Sequence, residues 1–188
     1  MDATIHVFTY KEGLLSRLAH DLRLTLTQFE VSLRGAALSA RMEPGSLEVD
    51  GVMQAGQLRA NEPSPADKQK IHQSLVEEVL HTREHPELSY SGRVTNSKPP
   101  FVIEGTLALC GKHLPLAFQM ELRGGRLHAD IPLVPSRWGI KPFRALGGAL
   151  KVRDAVRITI DASAQWLPDG EPLNPALELT WAARSART

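Results

Sequence analysis

Phe101-Val-Ile-Glu-Gly-Thr-Leu-Ala-Leu-Cys-Gly-Lys-His-Leu-Pro-Leu-Ala-Phe-Gln-Met-Glu-Leu-Arg-Gly-Gly-Arg-Leu-His-Ala-Asp-Ile-Pro-Leu133 is the stretch that decides the fold of this chain. Phe101, Ile103, Leu107 and Leu109 share one face of an extended segment. Leu114, Leu116, Phe118, Met120 and Leu122 repeat the pattern without a miss, and Leu127, Ala129, Ile131 and Leu133 continue it. A period of two marks a strand with one apolar face. Gly111 turns the chain after the first run, and Gly124-Gly125 makes a hairpin turn after the second. The loop Pro-Ser-Arg-Trp-Gly-Ile-Lys-Pro-Phe-Arg-Ala-Leu-Gly-Gly-Ala-Leu (135–150) follows. A last run then places Val156, Ile158, Ile160, Ala162 and Ala164 on one face.

Upstream, Thr4 to Lys11 is rich in β-branched and aromatic residues, as strands are. Leu22 to Leu33 predicts a long strand in which Leu22, Leu24 and Leu26 keep one phase and Phe29, Val31 and Leu33 the other. The slip at Thr27–Gln28 predicts a β-bulge, since one extra residue returns the same face to the core. Ser46 to Gln54 and Glu87 to Thr95 predict two more strands. Between them Ser64-Pro-Ala-Asp67 supplies an N-cap serine, a proline at the first helical position and an acid at the third. Ile71, Leu75, Val79 and Leu80 follow at helical spacing, so a helix is expected over about 65–84, ended by His85-Pro86. The sum is about eight strands, mostly antiparallel neighbours, and one helix. Half-polar strands joined by tight turns favour a barrel or sandwich over a parallel sheet.

With 188 residues, 42% apolar and 23% charged, the chain suits one soluble domain. A net charge of +1 makes no electrostatic case for nucleic acid. The single cysteine, Cys110, excludes an intrachain disulfide and is expected to be a buried, inert thiol. Met1-Asp-Ala-Thr-Ile-His-Val-Phe8 lacks the regions of a signal peptide, so the expectation is a cytoplasmic protein, or a periplasmic one if a leader has been trimmed. No stretch approaches the roughly 20 apolar residues of a membrane span.

Five pieces together resemble the YceI-like family of polyisoprenoid-binding, lipocalin-like barrels. They are Gly13-Leu-Leu-Ser-Arg-Leu-Ala-His-Asp21, His85-Pro-Glu-Leu-Ser-Tyr-Ser91, Leu107-Ala-Leu-Cys-Gly-Lys-His-Leu-Pro-Leu116, Ser136-Arg-Trp-Gly-Ile-Lys-Pro-Phe143 and Leu150-Lys-Val-Arg-Asp-Ala-Val-Arg-Ile158. Cys110 and Trp138 stand where that family often has histidine and phenylalanine. The resemblance implies an all-β fold: an extended, eight-stranded antiparallel lipocalin-like barrel over residues 1–165, with the one amphipathic helix. The proline-containing tail, 166–188, is expected to add a short edge strand at Leu177–Trp181. The resemblance also implies a bacterial, non-enzymatic carrier of an amphiphilic lipid, with an isoprenoid or quinone-like tail as ligand and no cofactor, metal or established catalytic residue. Edge pairing into a homodimer is compatible with it.

On this reading the lumen is lined by Leu24, Leu26, Phe29, Val31, Leu107, Leu109, Leu116, Phe118, Met120, Ile131, Ile158 and Ile160, with Trp138 either gating the mouth or plugging the core. Periodicity alone does not separate a hollow interior from a filled one. Lys141 and Arg144 are the bases nearest a lipid head group at such a mouth. An alternative reading is an enzyme acting on the bound lipid through His20, Asp21 or His113, and another is a closed barrel that serves as a protein-interaction module. Against the enzyme, adjacent His20 and Asp21 side chains in an extended segment point opposite ways, Ser16 lies in no Gly-x-Ser-x-Gly elbow, and Gly147-Gly148 is no phosphate loop. His81 and His85 have a zinc-compatible spacing at a helix C-terminus, where histidine is favoured by the dipole alone.

Overall fold

Alternation at period two turns a strand into a wall, and closing that wall on itself buries the apolar face without a second layer. The computed structural model describes residues 1–12, 20–145, 150–165, 167, 172–174 and 176–183. The strands are β1 Asp2–Thr9, β2 Lys11–Glu12, β3 Leu22–Leu26, β4 Phe29–Arg34, β5 Ala37–Met42, β6 Leu47–Gln54 and β7 Gln57–Arg59. After helix α1, Pro65–Ser74, come β8 Leu88–Val94, β9 Phe101–Leu109, β10 Lys112–Arg123, β11 Arg126–Leu133, β12 Arg144–Ala145, β13 Leu150–Val152, β14 Val156–Ser163 and β15 Glu178–Ala183.

Nine strands close the barrel, in the order β1-β14-β11-β10-β9-β8-β5-β4-β15 and back to β1. The all-β barrel is as the sequence predicts, but the number is nine rather than eight. Two strands account for the difference. β5 carries the alternation Leu38, Ala40, Met42, which its small alanine hides from a sequence reading. β15, expected at an edge, sits inside the ring. It pairs antiparallel with β4 and, through Asp2↔Ala182 and Ala3↔Ala183, parallel with β1. The strand expected over 46–54 is present as β6 but lies outside the ring, paired with β3.

The predicted long strand at 22–33 is two strands. Backbone pairing is interrupted at Thr27–Gln28, where Ser46 takes both amides: Thr27 N–H donates to its carbonyl (3.2 Å) and Gln28 N–H to its hydroxyl (2.9 Å). The irregularity in register lies instead between Arg23 and Leu24, opposite β6. The skipped residue, Asp50, turns its carboxylate to the outer face, where it accepts from Arg23 Nε (2.6 Å) and the Thr25 hydroxyl (2.8 Å). His6 Nδ1 meets the same Thr25 hydroxyl at 2.9 Å, and burial beside Arg23 lowers the His6 pKa.

α1 starts as predicted: Ser64 Oγ accepts from Asp67 N–H at 3.2 Å, with proline at the start of the helix. It ends earlier than expected. Leu75–Val79 widen into a π turn, Leu80 is buried, and His81 takes a left-handed φ of 47° that ends the helical path before His85-Pro86. The helix buries none of its own residues among Pro65–Ser74. Hydrogen bonds hold it across β6: Lys68 Nζ donates to the Asp50 carbonyl (2.7 Å) and His72 Nδ1 to the Leu47 carbonyl (2.9 Å).

One close approach shapes the wall. Gly92 of β8 and Gly105 of β9 face each other, and the ring of Tyr90 lies over both. A Cβ on Gly105 would stand 2.4 Å from the Ser91 carbonyl oxygen and 2.7 Å from the Tyr90 ring; one on Gly92 would stand 2.6 Å from the Glu104 carbonyl oxygen. The flattened ring packs against Phe118 at 5.7 Å, and its hydroxyl donates to the Leu116 carbonyl at 2.9 Å.

Two predictions follow from this wall. Gly105→Ala should cost about 1–3 kcal/mol in urea unfolding, because the clash is with backbone. Gly45→Ala, whose nearest neighbour would be 3.9 Å away, should stay within about 0.5 kcal/mol. For Tyr90, burial first and the Glu104 charge second push the phenol up to about 12 from 10.0. A raised acid contributes stability that is complete below the unfolded value and declines as pH rises from about 10 towards 12. Alkaline unfolding followed by circular dichroism should therefore show this loss in the wild type and a smaller one in Tyr90→Phe.

Candidate functional site: an apolar barrel lumen

The inward side chains do not meet. They enclose a cavity of about 210 Å³ whose wall presents only apolar surface. On β10 the cavity-lining residues Leu116, Phe118 and Met120 are only half-buried. Inward residues that stay partly open are facing a void, so this barrel is hollow rather than filled.

Leu26, Phe29, Val31, Leu107, Leu109, Leu116, Phe118, Met120, Ile131, Ile158 and Ile160 all line the cavity. Leu24 and Trp138, expected beside them, do not. Leu24 is buried in the adjoining core, on β3, which lies outside the ring between β1 and β6. Trp138 lies in a 3-10 turn, Pro135–Trp138, that caps one end of the barrel. Only 2% of it is exposed, and its indole N–H donates to the Leu107 carbonyl at 3.0 Å. Of gate and plug, the geometry is that of a plug. The turn is itself tied down, since Asp154 accepts from Ser136 N–H (3.0 Å) and the Ser136 hydroxyl (2.5 Å).

The sequence reading missed much of the wall. Ile5 and Val7 of β1 alternate visibly and were recoverable. So were Leu88 and Tyr90 of β8. Leu173 and Trp181 come from the tail, where the sequence predicts only a short strand at an edge. Trp181 reaches in from β15 and donates its indole N–H to the Ser163 carbonyl at 2.8 Å. Tyr90, Trp138 and Trp181 thus share a device: each gives its one donor to a strand carbonyl, which has a second lone pair to spare. The lining is apolar because its few polar atoms are turned into the wall.

The polar candidates stay apart from the lumen. His20 is exposed, and Asp21 accepts from the Lys11 amide at 2.8 Å, holding the entry to β3. His113 is exposed on the outer face of β10. None of the three lines the cavity. Ser16, Gly147 and Gly148 lie outside the described residues. His81 is exposed, and among the described residues no three His, Cys, Asp or Glu side chains are grouped to hold a metal ion. Cys110 is half-buried, its Sγ sits 3.7 Å from the Leu80 carbonyl, and burial pushes the thiol pKa up, away from reactivity. Lys141 and Arg144 are exposed beside a shallow outer groove shared with Glu78, Val79, Pro142 and Phe143. Among the described residues no helix is long and apolar enough to cross a membrane.

Comparison with known proteins places this geometry. No match was found among curated protein sequences. Two solved structures share the architecture. The crystal structure of Burkholderia cenocepacia BcnA is 9% identical, covers 85% of this chain and 94% of its own, and superposes with a TM-score of 0.57. A polyisoprenoid binding domain from Saccharophagus degradans implicated in plant cell wall breakdown is 7% identical, covers 86% of this chain and 94% of its own, and superposes with a TM-score of 0.51. At such identities the likeness is one of fold. A model of the YceI-like domain matches residues 6–164, and the chain belongs to that family.

Proposed function

We propose that this protein binds and carries the apolar tail of an amphiphilic lipid, isoprenoid or quinone-like, inside the barrel, without altering it chemically. The observation that carries the reading is the hollow lumen of about 210 Å³ with a wholly apolar wall. A void of this kind is empty of partners for water and gains from an apolar guest. The Saccharophagus degradans domain with the same fold is a polyisoprenoid binding domain, which agrees with this cargo class. His20, Asp21 and His113 stand off the lumen, so a guest held there meets no acid, base or nucleophile of the described wall.

The volume sets what the site takes. A cavity of about 150 Å³ holds benzene, so 210 Å³ corresponds to roughly eight carbons. At about 0.8 kcal/mol per buried methylene, that burial is worth about 6 kcal/mol, or a Kd in the tens of micromolar. Among the described residues the wall presents no polar surface to hold a head group, so the head of the lipid stays outside the lumen. A longer tail must either leave carbons outside or widen the barrel.

Native mass spectrometry of gently purified protein, followed by lipid extraction, should show an added apolar mass that isoprenoid probes displace saturably. A homogeneous ligand-free mass with no saturable uptake would refute the carrier reading. A second test fills the void: Ala162→Phe places a ring in the lumen. It should weaken binding of an apolar fluorescent probe about tenfold, the equivalent of one or two methylenes, while the thermal midpoint holds. Unchanged probe affinity in the folded variant would show that the lumen is not the site.

A further inference from the structure

The chain has a net charge of +1, but that charge is not evenly spread. Residues 131–153 carry five of the chain's 22 basic residues and none of its 21 acidic ones, which leaves the remainder at a net of −4. Those five are Arg137, Lys141, Arg144, Lys151 and Arg153.

The fold gathers them at the barrel end that Trp138 plugs. β12, β13 and β2 form a small separate sheet, in which Arg144 stands beside Lys151 and Lys151 beside Glu12. The same register brings Lys11 beside Val152. Lys112 reaches the turn as well, since its amine lies 3.3 Å from where a Cβ on Gly139 would stand. Among the described residues the carboxylates close by are Glu12, paired with Lys151 at 3.8 Å, Asp154, bonded to Ser136, Asp21, bonded to the Lys11 amide, and Glu78, which shares the outer groove with Lys141 and Arg144. Val134, 40% exposed and one of two large apolar residues so exposed among those described, precedes the same turn.

The opposite end of the barrel is built the other way. There Arg34 faces Glu178, Arg93 faces Glu104, Arg123 bonds Glu121, and Arg126 bonds Asp161. Arg123 and Arg126 are ion-paired there, and Arg34 and Arg93 each have an acidic cross-strand neighbour. At the plugged end Lys141, Arg144 and Arg153 are exposed and, among the described residues, joined to no carboxylate.

We propose that the plugged end is a membrane-docking face that takes the barrel to an anionic bilayer surface. Unpaired exposed cations around an exposed valine and a half-buried Phe143 match the chemistry of an anionic lipid interface. The acidic remainder of the molecule is repelled by that surface, which orients the docking. Glu78 lines the groove beside the helix, so the contact is made by the turn and the small sheet rather than by the groove. This proposal stands apart from the cargo reading, because docking depends on the outer cations and not on the lumen.

Vesicle flotation tests it. At about 50 mM salt, where the Debye length exceeds 10 Å, the protein should float with phosphatidylcholine vesicles containing phosphatidylglycerol and not with pure phosphatidylcholine. Raising the salt to about 0.5 M should release it. Each cation near such a surface is worth about fivefold in partitioning, so Lys141→Gln/Arg144→Gln/Arg153→Gln should partition about a hundredfold less. Arg34→Gln/Arg93→Gln/Arg123→Gln removes equal charge at the opposite end and should stay within about threefold of the wild type. Thermal melts report that both variants are folded, and the wild-type salt titration is decisive without them. Equal loss in both variants, equal flotation with the two vesicle types, or flotation indifferent to salt would overturn the proposal. So would saturable binding of a nucleic acid oligonucleotide, lost in the first variant, with no vesicle binding. Ala162→Phe should dock normally, which separates failure of this inference from failure of the carrier reading.

Discussion

The ladder between β1 and β14 is the interaction on which the rest depends. It joins Ala3–Phe8 to Ala162–Arg157, two segments at opposite ends of the sequence, and without it the sheet has two free edges and an apolar face open to water. An open sheet of that kind is an aggregation template; a closed one has no edges to offer. β1 also carries the second seam, pairing with β15 at its start and with β3 along the rest. The ring is thus completed through one strand, and Ile5 and Val7 of that strand look into the lumen it closes.

Closure creates the problem that the aromatic residues solve. A hollow apolar interior tolerates no stray donor, because an unpaired polar group in such a place costs about 1–3 kcal/mol. Tyr90, Trp138 and Trp181 bring large apolar surfaces and one donor each, and each donor is turned into the wall onto a strand carbonyl. The Gly92 and Gly105 pair lets Tyr90 lie flat against that wall rather than across the void. Hollowness is therefore built by specific residues, and the capacity for an apolar tail is a consequence of how the polar handles are placed.

The ends of the barrel differ in kind. At one, Arg123 and Arg126 pair with carboxylates and Arg34 and Arg93 have acidic cross-strand neighbours. At the other, a turn held by Asp154 seats Trp138 as a plug and leaves cations unpaired around it. The outer-face cluster of His6, Thr25, Asp50 and Arg23 belongs to neither end; with Lys68 bonded to the Asp50 carbonyl, it ties the helix to the sheet. Its polar residues invite a chemical reading, but they are satisfied by one another on the outside of the wall.

Periodicity and capping by themselves determined the all-β class, the three long strands from Phe101 to Leu133, the start of the helix at Ser64-Pro65 and part of the lumen wall. Those features are local: side-chain direction in a strand repeats every two residues, and a cap forms within one turn. Strand number, hollowness and the role of Trp138 were decided only in three dimensions. β5 was hidden because alanine blurs its alternation; β15 was expected at an edge, and nothing local says that it inserts into the ring. Leu24 and Leu26 share one phase in the sequence and both are buried on β3, yet only Leu26 reaches the void. An apolar stripe is the same in the sequence whether it faces packed atoms or empty space. Only the radius of the closed ring, and the side chains that reach across it, settle which.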